Sequence, residues 1–199
     1  MKRRFCLILR VFLIAFLTGV HFIVLAQDST ELKVISPYDS LVLSDIKAIG
    51  NLQTGNLELS MQVRTDYHKL TDVYFDLGGF GSMGITDDKG MKYKIPTNDR
   101  LIGTAGINKG YMPVSGVQFG KNKMNWVTYV KDTLHTGESK TLTIRLGKVN
   151  KTLSYIKEFH IRCILTLNYM WVGDKTYQAK NIKVDWIKPK NEVPDHPKG

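Results

Sequence analysis

Two aspartates, Asp72 and Asp76, stand four residues apart in a stretch whose apolar positions, Val73, Phe75 and Leu77, alternate with polar ones. Extended backbone sends alternate side chains to opposite faces, so both carboxyl groups would share one face. Two carboxyl groups are the minimum for acid and base roles in glycoside hydrolysis, and Asp99 could join them only through the tertiary fold. The plainer expectation is a solvent-facing row, and no residue is assigned a catalytic role. The histidines beyond the N-terminal segment, His68, His135, His160 and His196, are widely separated. None forms the close His/Cys/Asp spacing that puts two ligands on one metal, and no metal or other cofactor is expected.

Other reactive types also read as structural. Asp87-Asp88-Lys89-Gly90 lacks the alternating ligands and closing Glu of a calcium loop and is expected to be a hairpin turn. Gly81-Ser82-Met83-Gly84 lacks the Gly-x-Ser-x-Gly spacing of a hydrolase elbow. Gly78-Gly79-Phe80-Gly81 opens no helix that could receive a phosphate. Cys163 falls on an apolar strand face beside Ile161 and Leu165, where burial keeps a thiol inert. The candidate ligand-binding residues are aromatic: Phe80, Tyr111, Phe119 and Trp126 lie in or beside a glycine-rich stretch that could present rings to a sugar or peptide, although rings also fill cores.

These residues need a frame, and the pattern supplies strands. Phe159 to Val172 alternates throughout, with a turn expected at Val172-Gly173-Asp174-Lys175 and a return strand from Thr176 to Ile187. The return strand shifts phase between Tyr177/Ala179 and Ile182/Val184/Trp186, so a bulge is expected near Lys180-Asn181. Leu57 to Val63, Val73 to Leu77 and Leu142 to Leu146 alternate likewise, while Met124 to Val130 is apolar enough to be buried on both faces. Turn residues fall at Gln53-Thr54-Gly55-Asn56, Thr86 to Gly90 and His135-Thr136-Gly137-Glu138. No helical period exceeds about two turns, with Val149 to Lys157 the nearest approach. The expected class is all-β, an antiparallel sandwich.

The ends define the boundaries. Met1-Lys2-Arg3-Arg4 precedes an apolar run to Ala26, followed abruptly by Gln27-Asp28-Ser29. That order is a secretory signal peptide, with cleavage expected between Ala26 and Gln27; an uncleaved anchor helix is the alternative. The remaining 173 of 199 residues suit one domain, spanning 27–188, with a glycine-rich insert at about 77–120. A polar tail at 189–199 is expected to be disordered. Four of the 28 basic residues and none of the 18 acidic ones lie in the first 26, so the remainder carries +6 rather than +10. Its lysines are dispersed, which disfavours nucleic acid as a partner. With Cys6 in the signal, Cys163 has no intramolecular partner after processing.

Leu41 to Asn51, Leu57 to Arg64, the hairpin Ile85 to Tyr93, the Thr136-Gly137-Glu138 turn into Thr141 to Leu146, and the final hairpin together resemble immunoglobulin-like β-sandwich domains of small exported bacterial proteins. The chain departs from them in its glycine-rich insert and in lacking paired cysteines, and a jelly roll or eight-stranded barrel stays open. The resemblance implies a binding or accessory role, with a protein or glycan partner at the cell envelope; a hydrolase and a structural subunit of an envelope assembly are the alternatives. Asp28-Ser29-Thr30, Asp39-Ser40-Leu41 and Asp132-Thr133-Leu134 resemble bacterial O-glycosylation sites, Thr133 in an expected loop being the first candidate.

Overall fold

A computed structural model describes residues 31–77, 83–94, 111–123 and 129–188. The signal segment with Ala26 and Gln27, the tail at 189–199, and Phe80, Ser82, Asp99 and Trp126 lie outside the described residues. Those described form strands and turns, with no helix among them. In chain order the strands are β1 (Lys33–Ile35), β2 (Leu41–Asn51), β3 (Asn56–Thr65), β4 (Thr71–Asp76), β5 (Met83–Asp87), β6 (Lys92–Lys94), β7 (Tyr111–Phe119), β8 (Asn122–Lys123), β9 (Tyr129–Leu134), β10 (Ser139–Lys148), β11 (Tyr155–Leu167) and β12 (Met170–Ile187).

Their pairing is that of one strongly curled sheet. The ladder runs from β12 to β2, β3, β10, β7, β6, β5 and β11, and β11 pairs again with β12, so eight strands close a ring. β4 joins the far end of β11 and carries β9; β1 lies along β12, and β8 along β7. All pairs are antiparallel except β12 with β2 and β6 with β7. The expected all-β class therefore stands, as a curled, mostly antiparallel sheet.

Alternation in the sequence becomes a core because paired residues share a face. Leu57, Leu59 and Met61 of β3 oppose Leu146, Ile144 and Leu142 of β10, and all six are buried. On the other side Phe75 and Val73 of β4 oppose Cys163 and Leu165 of β11. The two sides meet where the ring of Phe75 lies edge-on to that of Phe119 of β7, centroids 5.2 Å apart. Burying side chains of this size contributes roughly 1.5–3 kcal/mol each, enough to hold a fold that has no disulfide among its described residues.

Two long strands change phase. In β2 the inward residues switch from Leu41 and Leu43 to Ala48, through a register shift between Ser44 and Lys47 at which Asp45 has φ 49°. In β12 they switch from Tyr177 and Ala179 to Ile182 and Val184, and the expected irregularity is Asn181, with φ 59°. Just beyond it, between Lys183 and Val184, β12 passes from its pairing with β11 to its parallel pairing with β2.

Other expectations need correction. The final hairpin turns at Asn168-Tyr169, both with positive φ (48° and 67°), and not at Val172 to Lys175. Two left-handed residues are what a two-residue hairpin turn requires. Gly173 instead stays in β12 opposite Leu165, where its missing side chain leaves room for the Tyr38 hydroxyl, and Asp174 is tied to Arg162. Of the Met124 to Val130 run, residues 124–128 lie outside the described residues; β9, which begins at Tyr129, has Val130 buried and Tyr129 exposed. The glycine-rich stretch supplies β5, β6 and β7. The segment from Val149 enters β11 through an Asn150-capped turn, with Leu153 buried.

Candidate functional site

The outward face of β9, β4, β11 and β12 collects the polar residues that the sequence singled out. Across it, Thr133 opposes Asp72, which opposes Thr166; Lys131, Tyr74 and Ile164 form the next row; Tyr129, Asp76 and Arg162 the third. Asp72 is buried more deeply than a solvent-facing row implies, at 8% exposure. Its carboxylate accepts a 2.5 Å hydrogen bond from the Thr133 hydroxyl and a longer one, 3.4 Å, from Thr166. Asp76 accepts from the Arg162 guanidinium at 3.1 Å. The same guanidinium holds Asp174 through two nitrogens. Its hydrogen bonds lower the Asp174 pKa below the ordinary carboxylate value, against a smaller opposing effect of burial.

Both aspartates lie on one face, as their spacing implied, and each is engaged by a different partner. Thr133 lies in a strand, which corrects its placement in a loop, and its hydroxyl donates to Asp72. Beside it Tyr74 and Tyr129 meet edge-to-face at 5.8 Å, and the Lys131 ammonium lies 5.0 Å from the Tyr74 ring centroid. This is a surface on which a planar ligand could rest, with a cation at its margin.

Among the sequence-chosen aromatics, Phe119 is fully enclosed against Phe75. It faces inward because it is paired with Leu142 on the core side of β10, so it serves packing and offers no ring to a ligand. Tyr111 opens β7 beside Lys92. Cys163 is buried, and loss of solvation, reinforced by nearby Asp174, pushes its thiol well above the usual range. His160 lies over Gly84 at one side of a groove between β5, β6 and β11 that also reaches Thr86, Lys92 and Glu158. No group of three metal-ligating side chains occurs among the described residues.

The feature that sequence reasoning missed is the tip of the β11–β12 hairpin. Tyr169, Met170 and Trp171 are 83%, 73% and 69% exposed. Alternation had placed Tyr169 and Trp171 with the core residues; the Asn168-Tyr169 turn carries them past its end. The signal available was Asn168, a residue that adopts left-handed backbone readily. A second exposed apolar set lies at β1, where Val34 and Ile35, with Leu32 just before the strand, face solvent.

Neither a protein-family model nor a curated protein sequence matches the chain. Solved structures resemble it distantly. The CooA pilin subunit from enterotoxigenic Escherichia coli is 10% identical, with 80% of this chain and 99% of that one covered and a TM-score of 0.37. AggA, the major subunit of aggregative adherence fimbriae type I from Escherichia coli, is 11% identical over 77% and 98%, at 0.39. MyfA, the major subunit of Myf fimbriae from Yersinia enterocolitica, is 13% identical over 78% and 98%, at 0.32. At such identities the likeness lies in strand architecture alone, and the chain is an all-β domain built as one curled, mostly antiparallel sheet.

Proposed function

We propose that the chain is an exported, non-enzymatic β-sandwich that serves as a protein-binding structural component of an assembly at the bacterial cell envelope. The observation that carries this reading is β1. It ends the pairing order, pairs only with β12 among the described residues, and exposes Val34 and Ile35. An exposed apolar edge strand is a template for another chain. The opposite end of the order, β9, is guarded: Asn122 Nδ2 donates to Lys131 O at 2.9 Å, and the Lys140 ammonium reaches both Asp132 (2.9 Å) and the Thr133 carbonyl (2.6 Å). The engagement of Asp72 and Asp76 by hydroxyls and a guanidinium supports binding over hydrolysis.

Capture from envelope extract of the source cells tests it. The protein should retain a reproducible protein partner, and Val34→Lys with Ile35→Lys should lower its recovery about tenfold or more while leaving the melting temperature within a few degrees. An undiminished recovery by that variant would remove β1 from the reading. Phe80, Tyr111 and Trp126 are proposed as further contacts, tested by alanine substitution in the same capture. A glycan partner is the second reading, favoured by the Tyr74–Tyr129 pair with Lys131; a glycan array that is blank for the wild type would dismiss it.

A further inference from the structure

The tip of the β11–β12 hairpin leaves the side chains of Tyr169, Met170, Trp171 and Val172 exposed. Tyr169 occupies left-handed backbone, which costs a residue with a side chain roughly 1–2 kcal/mol and which glycine adopts freely; its ring is nevertheless almost wholly in solvent. Trp171 pairs with Thr166 and so projects from the outer side of the sheet, as Asp72 does. Met170 pairs with Leu167 and projects from the opposite side. Val172 follows as the extra residue of a register shift and is also exposed. Four consecutive apolar side chains therefore surround the end of the hairpin.

That two-sidedness selects the partner. A protein surface laid against the hairpin would cover Trp171 or Met170 and leave the other in water. A fluid bilayer interface wets every side of a tip that enters it, and Tyr and Trp are the side chains that favour the boundary between headgroup and hydrocarbon. The charges around the tip agree with an anionic membrane. The adjoining β3–β4 turn, tied to the hairpin by the Asn168 N–H to Leu70 carbonyl bond at 2.9 Å, presents His68 and Lys69 to solvent. Of the nearby acids, Asp66 pairs with Arg64, Asp76 and Asp174 share Arg162, and Asp72 keeps its charge but is buried at 8% exposure beneath the hydroxyls of Thr133 and Thr166, so Lys69 is the exposed charge beside the tip. We infer that the chain docks on an anionic lipid surface by inserting the Tyr169–Val172 tip into the interfacial layer, with Lys69 at the headgroups. This is a shallow contact of one hairpin, independent of the β1 edge, and no strand needs to cross the bilayer.

Sedimentation with vesicles of phosphatidylglycerol and phosphatidylethanolamine, against vesicles of phosphatidylcholine alone, tests the inference with the protein as exported. The wild type should sediment with the anionic vesicles. Trp171→Ser combined with Tyr169→Gly should reduce the bound fraction at least about tenfold without lowering the melting temperature, whereas Tyr129→Ser should leave it unchanged. Bromine on the upper acyl chains should quench wild-type fluorescence more than that of Trp171→Phe. All variants share one N terminus, so binding through that segment would be common to them and would survive the tip substitutions. Equal binding by wild type and tip variant overturns the inference, as does a wild type that stays in solution with every vesicle. Tip-dependent capture of a protein in the absence of lipid binding overturns it as well.

Discussion

Tyr93 donates its hydroxyl hydrogen to Asp87 Oδ2 at 2.8 Å, and both residues are buried. Asp87 is the device of the β5–β6 turn: its other oxygen accepts from the backbone N–H groups of Lys89 and Met91, each at 2.9 Å. The carboxylate thus orders the turn on one side and is satisfied by a phenol on the other. Burial, then the bond to Asp87, raises the Tyr93 pKa above the ordinary tyrosine value, so the hydroxyl stays a donor. Tyr93→Phe should therefore destabilise the fold by about 1–3 kcal/mol, the desolvation penalty of a buried acceptor left short of a partner. Urea unfolding checks it; a change below a few tenths would show that water replaces the phenol.

Arg162 predicts an acid-sensitive limb. Its hydrogen bonds depress the folded-state pKa of Asp174, so the pair stabilises the fold above the unfolded aspartate value of about 3.9. That contribution is lost as pH falls through the depressed value. Asp174→Asn should lose less stability than wild type between about pH 5 and about pH 2, and added salt should narrow the difference because the pair is partly exposed. Parallel acid limbs in the two proteins would refute the assignment.

Gly50 of β2 lies under the Trp186 ring, whose Nε1 donates to Leu153 O at 2.7 Å. A methyl group at position 50 would collide with that ring. Gly50→Ala should break the indole bond, shift tryptophan emission to the red and lower stability by about 1–3 kcal/mol. Unchanged emission would show that the ring yields without leaving Leu153.

Tyr169→Gly should stabilise the hairpin by about 0.5–1 kcal/mol, the left-handed penalty reduced by glycine's greater freedom when unfolded. The same substitution should weaken vesicle binding. Opposite signs in the two assays would separate the ring's place in the fold from its place at a membrane, and a loss of stability would mean that the ring packs where it stands.

The alternating strands were legible because each has one buried face: Leu57 to Val63, Leu142 to Leu146 and Phe159 to Leu165 land where their period puts them. The phase slip before Ile182 was legible for the same reason. Hidden were the features set by partners distant in sequence. A run of alternating apolar residues looks alike whether it ends at Leu167 or at Val172, and only the backbone of Asn168 and Tyr169 decides. Asp72 alternates as a solvent residue does, yet Thr133, 61 positions away, buries it. Phe119, in glycine-rich surroundings, goes inward because Leu142 lies opposite.

The double pairing of β12 has a consequence in time. The ring of strands is joined by residues 170–187, the last strand among the described residues, which pairs with both β11 and β2. Until that segment has left the ribosome the ring stays open, however much of the rest has been made. Closing it joins Val184 to Ala48 across most of the sequence, a slow kind of contact to form.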